Sequence, residues 1–501
     1  MEWDLVLIAL SNVFEPHTFI TTIVGVALGI VIGALPGLTA TMAVALLLPM
    51  TFGMDPLPGL LVLIGVFHGA IYGGAIPAIL LKTPGTPAAA AMVQDGYELA
   101  RQGHAGRAMS MTIVASVFGG LFGTMVLITV APQLARVALS FGSPEYFALA
   151  VFGLSIIVSL SSQSLMKGIL VGLFGILLAM IGIDSLTGVA RFTFGSINLL
   201  GGVSFIPILI GVFAFAQVLT MIEEELQGKG MKTITKIKSV FPNLADLAKC
   251  KWTLLRSAIL GTFIGAIPGA GGDVSAFLAY NEERRWSKNK DLMGKGDIAG
   301  VAAPETANNA TSAGSFIPLL TLGIPGEAVT AVMLGALVMQ GVRPGTALFT
   351  EQRELLYSIF AGMIVTKLLL LVIAFIGLRL FVKVLALKKA YLIPSIIVLC
   401  IIGAFAINNS IFDVWVMMII GFLWYIASKC GFAQSPIIIA LILGPMAERE
   451  FRRSLVLSSG DYAIFYTSPI VVILVSLAMI TLFMPVIKAV IKRFKKLTAQ
   501  P

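Results

Sequence analysis

Apolar residues dominate this chain in runs that are long enough to cross a lipid bilayer, and short polar or charged segments separate them. Clear runs occupy residues 109–131, 199–222, 355–378 and 462–486. About 20 apolar residues form a helix that spans the hydrocarbon core. The pattern therefore predicts an all-α polytopic membrane protein with about 10–12 membrane segments.

A charged segment divides the apolar pattern into two halves. Between Glu223 and Lys251 the chain carries three consecutive glutamates and then six lysines. Lysine-rich loops stay on the cytoplasmic side of a membrane. We therefore predict a first transmembrane repeat at 1–222 and a cytoplasmic charged linker at 223–252. A second, inverted repeat with an extra C-terminal span is expected at 253–501.

Each half contains the same unusual interruption of its apolar sequence. Residues 32–41 read IGALPGLTAT and residues 264–273 read IGAIPGAGGD. Paired breaks at corresponding places in two hydrophobic halves are the best sequence pointer to the binding site of a transporter. A second pair of interruptions corresponds at one common offset: Pro77 and Pro84 in the first half, Pro318 and Pro325 in the second.

Charge predicts that each segment with the first type of break leaves the membrane on the side where it entered. Only acidic residues flank the first such segment, whereas the lysine-rich linker and the basic stretch 281–296 flank the second. The positive-inside rule then gives two re-entrant hairpins of opposite orientation, with the Pro-Gly pairs at their tips. One cluster disobeys, because Arg449, Arg452 and Arg453 fall outside unless 432–447 fails to cross.

Breaks of this kind leave backbone N–H and C=O groups free to bind a ligand. Helix N-termini attract anions, and free carbonyls suit a small cation. The expected substrate-binding residues are Lys82, Thr83, Pro84, Gly85, Thr86, Asn308, Asn309, Thr311, Ser312, Gly323, Pro325 and Gly326. The expected cation-coupling residues, with Na⁺ as the metal, are Leu35, Pro36, Gly37, Thr39, Thr41, Ile267, Pro268, Gly269, Gly271 and Asp273.

Lys82 and Asp273 are the sharpest individual candidates, because an ionisable residue within a span is by default a functional hypothesis. Lys82 could instead extend its side chain to the membrane interface, and Asp273 could be a turn residue or an ion-pair partner. Glu305 and Glu327 rank next, with a loop position as the alternative for Glu305. His68 is more typical of a packing residue than of a proton relay.

Several function classes are disfavoured by composition and motif content. The net charge of +9 resides in loops between spans rather than on one basic face, which argues against nucleic-acid binding. Residues 271–273 (GGD) superficially resemble an intramembrane aspartyl protease element, but a second central aspartate is lacking. The chain also has no phosphate-binding loop for ATP. We therefore expect no enzyme, while a passive anion channel stays open as the alternative to a transporter.

The motifs 33–38, 82–87, 95–97, 267–271, 304–310 and 323–326 resemble those of the large membrane subunit of tripartite tricarboxylate transporters, TctA. The resemblance implies a multi-pass protein of the bacterial inner (plasma) membrane with an elevator-type transport fold. It implies uptake of a citrate-like di- or tricarboxylate, driven by a Na⁺ or H⁺ gradient, with no other cofactor. The implied partners are a small membrane subunit (TctB-like) and a periplasmic substrate-binding protein (TctC-like). A coupling role for Asp273 does not follow from the resemblance.

Overall fold

The computed structural model describes residues 3–160, 165–184, 186–227, 243–287, 290–385 and 389–497. It is 81% helical, which confirms the predicted all-α class. In the described part, seven helices are long and apolar enough to cross a membrane, and a polytopic membrane protein is thereby supported. They occupy Pro16–Ala34, Pro56–Leu81, Ala105–Ala138, Phe205–Leu226, Arg353–Val384, Ala390–Asn408 and Ile411–Lys429.

The helices are numbered along the chain. The first half contains α1 Trp3–Phe14, α2 Pro16–Ala34, α3 Ala40–Leu47, α4 Pro56–Gly73, α5 Ala75–Leu81, α6 Val93–Arg101, α7 Ala105–Ala138, α8 Ser143–Leu160, α9 Leu165–Ala179, α10 Phe205–Leu209 and α11 Ala216–Leu226. The second contains α12 Leu244–Ala266, α13 Gly271–Trp286, α14 Ala299–Gly314, α15 Phe316–Leu322, α16 Ala328–Met339, α17 Thr346–Thr350, α18 Arg353–Val384, α19 Lys389–Asn408, α20 Ile411–Lys429, α21 Ser435–Leu457, α22 Ile464–Thr467 and α23 Pro469–Leu497.

Shorter elements complete the described chain. A π-helical segment, Ile210–Phe215, joins α10 to α11. Two short antiparallel strands pair Gly182 with Arg191 and Ile183 with Ala190; they are β1 Gly182–Ile183 and β2 Ala190–Arg191. The 3₁₀ turns are Leu48–Thr51, Ala88–Met92, Ile197–Leu199 and Lys290–Leu292.

The chain packs into two compact units that do not coincide with its two sequence halves. One unit comprises residues 1–136 and 206–425, and the other comprises 137–205 and 426–501. The Pro-Gly breaks of both halves therefore belong to the first unit. Helices α11 and α12 extend into the predicted linker 223–252 from either side, and its residues 228–242 lie outside the described part.

Glycines let α2 and α4 approach each other backbone to backbone. A Cβ atom on Gly25 would overlap the backbone of Val62, and one on Gly33 would overlap that of Ala70. Small residues at a helix interface permit this close packing in membranes. Because the residue numbers rise together along both helices, α2 and α4 run parallel. The chain between them, which includes α3, therefore returns to the end of the unit where α2 began.

The second half repeats this arrangement in α12 and α14. A Cβ on Gly261 would overlap the backbone of Ala307, and one on Gly265 that of Thr311, so these helices also run parallel. Helices α4 and α14 run in opposite directions. Phe67 of α4 packs on Phe316 just after α14, whereas Tyr72, farther along α4, faces Glu305 near the start of α14.

Polar contacts gather at one end of the first unit. Arg107 binds Asp246 at 2.6 Å, and Lys249 binds Asp297 at 3.1 Å. The Asp95 carboxylate accepts backbone hydrogen bonds from the 294–297 loop and one from the Tyr280 hydroxyl. These contacts join segments for which charge predicted a common cytoplasmic side, and that membrane sidedness stays a prediction.

The second unit contains the arginines that disobeyed the charge rule. Arg452 contacts Asp184 at 2.7 Å and Glu448 at 2.6 Å, and Arg191 contacts Glu448 at 2.7 Å. Backbone N–H groups of Leu186 and Thr187, together with the arginines, lower the pKa of Asp184 to about 2. The cluster is therefore an internally compensated ion-pair network rather than a free positive patch.

Candidate functional site

The Pro-Gly pair of the first half forms a tight turn between α2 and α3. The Leu38 N–H donates to the Leu35 carbonyl at 3.1 Å, and Gly37 has a φ of 91°. A type II turn typically has proline at the second of its four positions and a glycine in the left-handed conformation at the third. The Thr39 hydroxyl then accepts from the Met42 N–H at 3.2 Å and caps α3, in which Thr41 is buried.

The second half forms the same turn between α12 and α13. The Ala270 N–H donates to the Ile267 carbonyl at 3.3 Å, and Gly269 has a φ of 82°. Pro268 therefore occupies the position that Pro36 occupies in the first turn. Gly271, also left-handed with a φ of 67°, starts α13. We call residues 35–39 the first tip and residues 267–271 the second tip.

The helix breaks that follow also match. Helix α5 ends at Lys82 with a φ of 57°, and α15 ends at Gly323 with a φ of 69°. In each case the next N–H turns back to the helix, from Thr83 to the Pro77 carbonyl and from Ile324 to the Pro318 carbonyl. We call residues 82–86 the first break and residues 323–327 the second break.

In each half, the Pro-Gly of the break packs close to the tip. Pro84 leads into Gly85, where a Cβ would overlap the carbonyl of Gly33 and the backbone of Gly74. Pro325 leads into Gly326, whose carbonyl accepts a 2.6 Å hydrogen bond from the Gly269 N–H. Only glycine leaves room for these backbone approaches.

Glu327 holds the second tip to the second break. Its Oε2 accepts from the Gly272 N–H at 3.1 Å, and its Oε1 accepts from the Ser315 hydroxyl at 3.2 Å. Its backbone N–H also donates to the Thr330 hydroxyl at 2.9 Å. The Glu327 carboxyl group thus lies at the start of both α13 and α16, where helix dipoles favour its ionised form.

The amide and hydroxyl groups of α14 divide between two faces. Asn308 places its Oδ1 against Gly272, which directly follows the second tip, and Thr311 donates to Ser275 of α13 at 2.7 Å. Asn309 instead faces away from the tip, toward Glu305 and Lys367. Ser312 bonds its own helix through the Asn309 carbonyl at 2.7 Å, the common structural role of a helical serine.

Lys82 and Asp273 lie in different surroundings. Lys82 is exposed, like Thr83, and its Nζ stands 5.6 Å from the centroid of the Tyr97 ring. Asp273 lies in the first turn of α13 and faces the backbone amide of Ala88. The buried Thr86 hydroxyl accepts from the Ala89 N–H. Ala276 of α13 packs on Ala88 and Ala91, so α13 borders the segment that follows the first break.

A buried charged cluster lies beside these elements, and its lysine was not among the residues expected from the sequence. Lys367 of α18 is fully buried, and its Nζ donates to the Asn309 Oδ1 at 2.9 Å. The Asn309 Nδ2 donates to the Glu305 Oε1 at 2.9 Å, and Ser116 of α7 donates to the same oxygen. Glu305 is buried in α14, so the loop alternative for it is wrong.

Helix α4 contributes two more polar residues to this place. His68 Nδ1 pairs with the Thr366 hydroxyl at 3.0 Å, and the buried Tyr72 lies near Glu305. We call Ser116, Glu305, Asn309, Lys367, His68 and Tyr72 the buried cluster. The sequence contains one signal for this cluster, which is Lys367, an ionisable residue in the middle of the apolar run 355–378.

The fold and this geometry define a polytopic membrane protein whose interrupted helices meet inside one unit, as in membrane transport proteins. The model of the tripartite tricarboxylate transporter TctA family matches residues 19–439. The chain belongs to this family. It is therefore a component of a tripartite transport system with other subunits, and not an enzyme.

Two proteins of Agrobacterium vitis are similar to the chain. The "Uncharacterized 52.8 kDa protein in TAR-I ttuC' 3'region" is 38% identical over 461 residues, which cover 92% of this chain and 91% of that protein. The "Uncharacterized protein in TAR-II ttuC' 3'region" is 37% identical over 230 residues, 46% of this chain and 95% of that protein. No solved structure matches the chain significantly.

Proposed function

We propose that this chain is the large permease subunit of a tripartite secondary-active importer for a citrate-like di- or tricarboxylate. The observation that carries the proposal is the contact between the second tip and the second break, sealed by the Gly269–Gly326 hydrogen bond and bridged by Glu327. Two helix N-termini, those of α13 and α16, meet there. Helix N-termini attract anionic groups, and the Glu327 carboxyl group caps both of these.

The directions of the helices support two inverted repeats. Helices α2 and α4 run parallel, α12 and α14 run parallel, and α4 and α14 run in opposite directions. Two copies of one hairpin-plus-broken-helix motif, related by inversion, have this pattern. We extend it to an elevator-type mechanism, in which both hairpins and both broken helices carry the substrate past a scaffold.

Substrate recognition is assigned to the first break and to α14. Of the α14 residues, Asn308 has the amide best placed for a carboxylate, because it is the one that lies at the second tip. Thr83 and Lys82 supply a hydroxyl and a positive charge at the first break, where both are exposed. An oxygen-rich anion is a chemical match for such a set of N–H, hydroxyl and ammonium donors.

The coupling cation, Na⁺ or H⁺, is assigned to the two tips. Hard cations such as Na⁺ take oxygen ligands, and backbone carbonyls with hydroxyl groups supply them. Thr39 and Thr41 offer hydroxyl oxygens at the first tip, and Asp273 offers a carboxylate beside the second. The partners are a small membrane subunit and a periplasmic substrate-binding protein, and the location is the bacterial inner membrane.

A passive anion channel is the second candidate, since the same interrupted helices could line a pore. The discriminating experiment reconstitutes the chain with its small subunit in proteoliposomes and follows labelled citrate, with and without the binding protein. An importer accumulates citrate above equilibrium only with an inward Na⁺ or H⁺ gradient and the binding protein. Equilibration without accumulation, regardless of the gradient, would identify a channel. A panel of di- and tricarboxylates covers the case in which citrate does not bind.

A further inference from the structure

The buried cluster contains an unusual relay in which an amide separates two opposite charges. Lys367 Nζ donates to Asn309 Oδ1, and Asn309 Nδ2 donates to Glu305 Oε1, each at 2.9 Å. Lys367, Asn309 and Glu305 are all fully buried, at 0% exposure. Charges are removed from water only at a large free-energy cost, and a buried ionisable group within a membrane protein marks function by default.

Three polar atoms of the cluster lack a partner among the described residues: Glu305 Oε2, His68 Nε2 and Tyr72 Oη. Buried polar atoms are almost always hydrogen-bonded, and each exception calls for an explanation. Glu305 Oε1 already accepts from both Ser116 and Asn309. Glu305 Oε2 is therefore a free acceptor on a side chain whose hydrogen-bond network extends over α7, α14 and α18.

A proton suits this free oxygen better than a metal ion does. Among the described residues, Lys367 from α18 reaches Glu305 through Asn309, and Tyr72 from α4 lies near Glu305. His68 from α4 lies near Lys367, and α7 contributes the neutral Ser116. A metal cation at Oε2 would add positive charge beside the Lys367 ammonium, with a single carboxylate to compensate both. A proton forms an O–H bond at Oε2 and needs no further ligands.

We propose that Glu305 is a proton-binding site whose occupancy determines whether the Lys367 ammonium is compensated by a neighbouring negative charge. When Glu305 is ionised, the two charges compensate each other and the cluster is neutral. When Oε2 takes a proton from water, the Lys367 ammonium is left uncompensated. Asn309, which contacts Lys367, is followed on the chain by the predicted substrate residues Thr311 and Ser312 and preceded by Asn308 at the second tip.

An uncompensated positive charge behind α14 attracts an anionic substrate in front of it. Proton binding and carboxylate binding therefore favour each other, and linkage makes this effect reciprocal. The link to substrate rests on the proposed function, whereas the protonation of Glu305 does not. The protonation of Glu305 and its effect on substrate binding can therefore be tested separately.

The first experiment is substrate-free infrared spectroscopy of the purified full-length chain in lipid nanodiscs. The carbonyl stretch of a protonated carboxyl group disappears on ionisation, and the wild-type minus Glu305→Gln difference isolates Glu305. We expect this band to lose intensity as the pH rises, because ionisation of Glu305 removes the protonated carboxyl group. A difference spectrum without any pH-dependent carboxyl band overturns the proposal, whatever the protein transports. Ser116→Ala, which removes one hydrogen bond and no charge, should keep the titrating band.

The second experiment measures binding of labelled citrate to the same nanodiscs as a function of pH. Wild-type affinity should rise on acidification relative to Glu305→Gln, by up to about tenfold per pH unit for one linked proton. Because both proteins bind the same ligand at each pH, the ionisation of citrate cancels in the ratio. A constant ratio with a titrating infrared band refutes the link to substrate. Absence of citrate binding with that band present counts against the proposed substrate and leaves protonation supported.

A merely structural role is tested with Glu305→Gln/Lys367→Met. The double variant removes both charges, so neither is left alone in the interior, and it should insert and purify as a monodisperse protein. It should nevertheless show no acid-dependent gain in citrate affinity. A double variant that retains the wild-type pH dependence contradicts the proposal, because the switch would then reside elsewhere.

Discussion

Lys82 and Gly323 hold the same position at the ends of α5 and α15, yet only glycine adopts their left-handed conformation without strain. A side chain in this region costs about 1–2 kcal/mol per residue. The φ of 57° at Lys82 is therefore maintained against a local preference. Strain that persists at a helix break beside a predicted ligand site is typical of functional positions.

Replacing Lys82 separates strain from charge. Lys82→Gly should stabilise the protein by about 1 kcal/mol, because glycine accepts this φ, and should lower uptake because the ammonium is lost. Lys82→Gln should lower uptake without the gain in stability. Thermal unfolding in detergent and labelled-citrate uptake measure the two effects. Unchanged uptake in both variants would show that Lys82 does not bind substrate.

Gly269 and Gly53 form a matched pair for testing the second tip. Both have a left-handed φ, 82° and 81°, but Gly269 hydrogen-bonds the second break whereas Gly53 lies in open space. Alanine at either position should cost about 1 kcal/mol of stability. Of these two variants, only Gly269→Ala should lose most of the coupled uptake. Pro268→Ala and Asp273→Ala should also lose it, and membrane insertion should stay intact. Equal loss in Gly53→Ala would assign the effect to instability.

At the residue scale, the sequence predicts what is local. The Pro-Gly turns follow from two adjacent residues whose φ preferences match a type II turn, and their identical geometry in both halves agrees with this. The direction in which a helical side chain points depends on packing. The sequence alone could not separate Asn308, which faces the tip, from Asn309, which faces Lys367.

At the scale of elements, the glycine contacts of α2 with α4 provide the clearest test. Gly29→Leu should prevent the close approach, because its Cβ would meet the backbone of Val66, and should cost at least about 1–3 kcal/mol. Gly201→Leu is the control, since no atom lies within 4 Å of the Cβ that it adds. Yield of folded protein and thermal unfolding measure the difference. Equal stability of the two variants would exclude backbone packing as the role of Gly29.

The existence of a membrane-length helix was predictable where an apolar run is long, as for the run 355–378 within α18. That residues 137–205 and 426–501 form one compact unit was not predictable, because this unit depends on contacts between segments far apart in the chain. The same reason hid the partners of Arg452. Its ion pair with Asp184 joins residues that are remote in sequence, so the charge rule treated the arginines as unpaired.

At the scale of the molecule, the first unit is assembled from both sequence halves, and the buried cluster ties four of its helices together. Helices α4, α7, α14 and α18 each contribute a side chain to it. Its stability contribution should be strongly non-additive, because removing one charge leaves the other buried and uncompensated.

A double-mutant cycle measures this coupling. Lys367→Met should destabilise the first unit by about 3–5 kcal/mol near neutral pH, where it strands a buried carboxylate. Adding Glu305→Gln to it should recover most of that loss. Thermal unfolding of the two single variants and the double variant provides the cycle. Additive effects would indicate that Lys367 and Glu305 do not interact through Asn309.

The backbone contacts of α2 with α4, and of α12 with α14, also restrict how the protein can admit its cargo. Helices that touch along their glycines cannot slide past each other without losing the fit, so each tip keeps a constant distance from its own break. Neither Pro-Gly turn can then act as a separate gate. Under the elevator-type mechanism that we propose, each hairpin moves together with its broken helix, and cross-linking α2 to α4 should leave transport intact.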